Sequence, residues 1–91
     1  MRVYLSIEAA EQLQQLLDYL EVNWSVKVRD NFIAKLDRSM KIIENSPFAF
    51  PPSEKFPGLR KCVLTRQTVA FYRIFENEVE IIALVDARQN E

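Results

Sequence analysis

Arg60, Arg73 and Arg88 lie among apolar residues in the last third of the chain, in the stretches Leu59-Arg60-Lys61-Cys62-Val63, Phe71-Tyr72-Arg73-Ile74-Phe75 and Val85-Asp86-Ala87-Arg88. A cation inside a core-forming strand needs a partner or a task, since an unpaired buried charge is costly. The planar guanidinium fork is suited to anionic oxygens, phosphate among them. Proton transfer is harder to supply, because the chain has no histidine, the side chain whose ordinary pKa lies nearest neutrality. The one cysteine, Cys62, excludes an internal disulfide and fits a reducing compartment. With no histidine to activate it, Cys62 reads as a small apolar core residue.

These residues sit on three consecutive strand-like segments, beginning near Gly58, Thr68 and Val79 and separated by the short turns Arg66-Gln67 and Glu76-Asn77-Glu78. Turns this brief cannot hold a helical crossover, so the strands form an antiparallel meander. In the middle strand, period-two alternation sends Ala70, Tyr72 and Ile74 one way and Val69, Phe71, Arg73 and Phe75 the other.

Upstream, Arg2 to Leu5 reads as a short first strand. Ser6 is placed to cap a helix over about Ile7 to Val22, with Glu8 and Glu11 near its positive end. Leu13, Leu16, Leu17, Leu20 and Trp24 form its apolar stripe. Ser25 can cap a second helix, whose stripe is Val28, Phe32, Leu36, Met40 and Ile43. The two stripes predict a helical hairpin packed on the sheet, with Trp24 in that packing. All four prolines fall between Ser46 and Pro57, which ends helix and central strand alike. Phe48, Phe50 and Phe56 are expected to anchor this stretch as an ordered loop. The expected fold is α+β: an N-terminal strand and a two-helix hairpin on one face of a mainly antiparallel four-stranded sheet, in the order β-α-α-β-β-β.

The 91 residues suffice for one domain, 1–91, with its own core. Apolar residues make up 48% and charged residues 27%, a globular balance. No apolar run approaches the roughly 20 residues that span a bilayer, and no secretory leader is evident, so the expected location is cytoplasmic with no membrane partner. Twelve Lys and Arg against thirteen Asp and Glu give a net charge of −1. That balance is a poor attractor for nucleic acid, so any such contact needs a local basic patch.

The pattern resembles the RelE/ParE toxins of bacterial type II toxin–antitoxin systems, across nearly the whole chain. The resemblance is carried by the opening strand, the helix with Ala9, Leu13, Leu17 and Tyr19, the second helix around Phe32 and Leu36, Pro47, and Gly58-Leu59-Arg60-Lys61. It continues through Phe71-Tyr72-Arg73-Ile74 and the terminal Ile81-Ile82-Ala83-Leu84-Val85-Asp86-Ala87-Arg88-Gln89-Asn90. It implies a ParE-like toxin, of the kind tied to plasmid stabilisation, that is neutralised by a cognate antitoxin wrapped around it. Its target would be DNA gyrase or, by the other family route, messenger RNA in the ribosomal A site. By motif match, Arg60, Tyr72, Arg73 and Arg88 are the positions that would inherit target binding or catalysis. The lysines and the histidine used by some ribosome-dependent cleavers have no clear counterpart. No cofactor or metal is implied, and a homodimer is left open.

RNA cleavage needs a base for the 2′-hydroxyl, an acid for the leaving oxygen and cations for the developing charge. Were Lys61 the base, lowering its pKa from about 10.4 to about 7 would cost roughly 4 to 5 kcal/mol, a large share of the ~5 to 15 kcal/mol that stabilises a domain. Glu54 or Asp86 would need a smaller shift. The chemistry therefore leans away from cleavage, toward a toxin that binds gyrase or another protein; an attenuated toxin that mainly binds its antitoxin is a further reading. The same residues also have structural readings. Arg60 and Arg73 can pair with Glu80, Asp86 or the last helical turn, Tyr72 can be core with its hydroxyl bonded, Arg88 can be a solvated end residue, and Lys55 can simply be exposed. An uncovered sheet face, a groove between the helices and the aromatic loop offer surfaces for an antitoxin helix or added strand.

Overall fold

The computed structural model describes residues 1–87, and two serines set its helical half. Ser6 is extended and its hydroxyl accepts from the Ala9 amide at 2.9 Å, starting α1 (Ile7–Asn23), one residue longer than the pattern predicts. Ser25 does the same for the Val28 amide at 3.1 Å and starts α2 (Val26–Asn45). Most of the predicted stripe residues face the core: Leu13, Leu16, Leu17 and Leu20 pack against it from α1, and Phe32, Leu36, Met40 and Ile43 from α2, whereas Val28, expected in the α2 stripe, is exposed in the first turn of that helix. Trp24 departs from expectation. It closes α1 at the hairpin tip and is 69% exposed, with Val22 and Val26 also exposed beside it. Helical periodicity correctly gives its side of the helix, but the apolar stripe outruns the sheet that would cover it.

Four strands follow the expected order: β1 (Arg2–Leu5) precedes the helices, and β2 (Arg60–Val63), β3 (Thr68–Phe75) and β4 (Glu78–Asp86) come after them. In space they lie β1-β4-β3-β2. The β2–β3 and β3–β4 pairs are antiparallel, whereas β1 runs parallel to β4, so the sheet is mixed. Glu76 and Asn77 both have positive φ in the β3–β4 connection, the backbone that a two-residue hairpin turn favours. The predicted alternation holds. Ala70, Tyr72 and Ile74 join Cys62, Val79, Ile81 and Leu84 in the core with the helical residues. Burying these side chains contributes about 1.5–3 kcal/mol for each large aliphatic one, before conformational entropy is counted against it.

The proline loop borders the outer edge of β2. The Lys61 amide donates to Pro51 O at 2.9 Å and the Ser53 amide to Leu59 O at 2.7 Å. Pro51 and Pro52 have no N–H to offer a further strand, which blunts this edge. Phe50 meets Tyr72 edge-on at 6.5 Å on the helical side, while Phe56 meets Phe71 edge-on at 5.1 Å on the opposite face. The loop thus wraps the sheet margin and covers part of the face expected to be bare; Val69 and Phe71 there are buried. Phe48 is not an anchor of this kind, being 67% exposed. Gly58 has φ +86°, a backbone that a side chain would strain. Among the described residues no helix is long and apolar enough to cross a membrane.

Candidate functional site

Arg60 opens β2 directly opposite Tyr72 on β3, and strand parity turns both toward the helical side. There the chain leaving α2 passes over them. Arg60 Nη1 donates to Phe50 O at 2.6 Å, and the guanidinium lies 4.8 Å from the centre of the Phe48 ring. Tyr72, with no exposed surface, donates its hydroxyl to Pro47 O at 2.7 Å. Two adjacent sheet side chains therefore hold two carbonyls of one loop, and both accept structural work the sequence left open for them. Arg60 does so through a backbone carbonyl rather than the carboxylates weighed for it. Burial raises the Tyr72 pKa, opposed by the neighbouring Arg60 charge. Phenolate is therefore harder to form here than in water.

Arg73 is one residue on and so faces the other way. Its Nε binds Glu80 Oε1 at 2.9 Å and its guanidinium sits 5.6 Å from the Phe75 ring. This is one of the pairings the sequence offered. Farther along the same face Arg2 pairs with Glu78 at 2.6 Å, so Arg73 and Arg2 are both held by carboxylates on this face. Exposed pairs of this kind contribute at most about 1 kcal/mol each. The fold brings Arg60 and Tyr72 together and separates them from Arg73 by the thickness of the sheet. Arg88 lies outside the described residues. Cys62 is fully buried, as expected, and burial raises its thiol pKa. Among the described residues no cluster of histidine, cysteine and carboxylate side chains could hold a metal.

A larger feature was only half visible in the sequence. Between the tip of the helical hairpin and the end of the sheet lies an open cleft of about 920 Å³, walled by Gln12, Tyr19, Trp24, Val28, Lys35 and Leu84 among others. The expected groove between the helices is thus a cleft between helices and sheet. Of its exposed rings, Trp24 belongs to the predicted α1 stripe, so periodicity marks it as core, while Tyr19 stands outside that stripe. The signal that could have found the cleft is the stripe running on to Trp24 at the very end of α1, beyond what the sheet covers. Gln12 carried no signal; its Oε1 accepts from the Leu84 amide at 2.7 Å, across 72 positions of sequence.

The profile of the ParE toxin of the type II toxin–antitoxin system parDE matches residues 3–91. Among solved structures, the chromosomal ParDE system from P. aeruginosa is similar with a TM-score of 0.80 at 22% identity, over 94% of this chain and 95% of that one. A YoeB/ParE toxin from Agrobacterium tumefaciens gives 0.70 at 13% identity, over 94% and 98%. A copper-bound mutant toxin from Helicobacter pylori gives 0.70 at 13% identity, over 98% and 97%. At these identities the likeness is one of fold. No curated protein matches the sequence.

Proposed function

The chain belongs to the ParE toxin family of type II toxin–antitoxin systems, and from that premise we propose that it acts in the cytoplasm by binding DNA gyrase. A cognate antitoxin silences it by docking in the cleft between hairpin and sheet. The observation that favours binding over cleavage is the division of the candidate residues: Arg60 and Tyr72 hold loop carbonyls on one face, while Arg73 holds Glu80 on the other. Cutting RNA requires a base, an acid and a cation to converge on one phosphate. Tyr72 already donates its proton to Pro47 and is made a poorer acid by burial. A toxin that works by binding needs no such convergence. It needs exposed surface, and Trp24, Tyr19, Phe48 and Phe75 supply apolar area of the kind found at protein interfaces.

Induced expression tests this, with growth, transcript integrity and the DNA-damage response scored separately. The expected result is arrested growth with intact transcripts and an induced damage response. Fragmented transcripts would replace the reading with a ribosome-dependent endonuclease. Unimpaired growth, with the antitoxin still bound, would leave an attenuated antitoxin-binding module.

A further inference from the structure

The outer edge of β4 has two regimes. β1 pairs with Glu78 to Ile81 and ends at Leu5, whereas β4 continues to Asp86. Between them lies an irregularity: Phe71 faces Ala83 while Tyr72 faces Ile81, so Ile82 is an extra residue. Beyond it the edge groups are held by side chains at the start of α1. Ser6 Oγ donates to Ile82 O at 2.8 Å, and Gln12 Oε1 accepts from the Leu84 amide at 2.7 Å. Ser6 is fixed in place, since its hydroxyl also caps α1 and its amide binds Ile81 O at 2.9 Å. Gln12 has no comparable tie. It lies within α1 on the wall of the cleft, and its side chain can turn away without unwinding the helix.

We propose that Gln12 is a displaceable placeholder: it keeps the Leu84 amide bonded in the free toxin and yields it to an extended segment of the antitoxin that adds as a strand along Leu84 to Asp86. The inference rests on the reading of the cleft as the antitoxin's seat. The occupant is extended because the edge presents its amide in the plane of a sheet that β1 leaves unpaired on this side. It is apolar on one face because Tyr19 and Trp24 line the cleft and are exposed. It carries a carboxylate opposite Lys35, an exposed cation on the helical wall.

Two substitutions separate this from a purely structural Gln12. In Gln12→Leu the free toxin loses the acceptor, so the antitoxin's carbonyl gains a donor with no competitor. The affinity of the complex should rise by about twofold to tenfold, the worth of one exchanged hydrogen bond. In Gln12→Glu the acceptor is charged and holds the amide harder, so affinity should fall. Binding is measured with the cognate antitoxin, the product of the adjacent reading frame, by calorimetry, with melting curves confirming that each variant folds. Hydrogen exchange at the Leu84 amide should slow on binding in all three proteins. A Gln12→Leu complex that is weaker than or equal to wild type, or a Leu84 amide no slower in the complex, would overturn the proposal while leaving the antitoxin reading intact. A free-toxin dimer that protects Leu84 equally would put a second copy in the cleft and also overturn it. Failure of the wild-type chain to bind the antitoxin would remove both readings.

Discussion

Replacing Tyr72 by Phe deletes one oxygen and tests whether this residue serves the fold or the target. The ring stays, so no cavity forms, and what is lost is the 2.7 Å bond to Pro47 O. An ordinary hydrogen bond contributes about 1 kcal/mol net, and a carbonyl left unpaired in a half-buried site raises the loss to about 1–2 kcal/mol. In a domain of this size each kcal/mol moves the melting temperature by about 4–8 °C, so Tyr72→Phe should melt roughly 5 to 15 °C lower. With ~5 to 15 kcal/mol of total stability, nearly all molecules remain folded at growth temperature. Toxicity on induction should therefore persist almost unchanged. Calorimetry and a growth assay on the same variant decide the matter. An unchanged melting temperature with abolished toxicity would refute the reasoning, because the hydroxyl would then be acting on the target and not on the loop.

Arg60→Ala removes a charged hydrogen bond to Phe50 O and the support beneath Phe48; it should cost about 1–3 kcal/mol and speed proteolysis within residues 46–59, seen by limited digestion. At alkaline pH the fold should weaken. Burial raises the thiol of Cys62 and the phenol of Tyr72 above their ordinary values of 9.0 and 10.0, so their contribution is full below pH 9 and is lost as pH rises through the folded-state values. The slope of stability against pH above 9 should shrink in Tyr72→Phe, measured by denaturant titration at several pH values. Trp24→Ala, at an exposed tip, should change stability by less than about 0.5 kcal/mol yet weaken antitoxin binding by about tenfold or more, as loss of a buried aromatic anchor does.

Much of the architecture was legible because its causes are local. Ser6 and Ser25 each carry the cap that starts a helix, and the alternation from Val69 to Phe75 records which side chains meet α1 and α2. The proline cluster fixes where helix gives way to loop. What could not be read depends on contacts between distant segments. Nothing near Arg2 to Leu5 says that this strand runs parallel to β4 and stops at Ile81. Alternation within β3 already sets Arg73 on the face opposite Tyr72, but only the β2–β3 register puts Arg60 beside Tyr72 and so apart from Arg73. Trp24 obeys helical periodicity and is still exposed, because periodicity gives direction and not the extent of what lies opposite. Gln12 has meaning only through an amide on a strand that the sequence places at the other end of the chain.

The claim that this chain works by binding gyrase, with no chemistry of its own, is tested most directly with purified components. The chain is added to gyrase, ATP and relaxed plasmid, and the DNA is resolved after protein digestion. Accumulated double-strand breaks that require gyrase, and that disappear when antitoxin is added first, are the predicted result. Intact, fully supercoiled plasmid, with messenger RNA cut in a parallel translating-ribosome reaction, would contradict it.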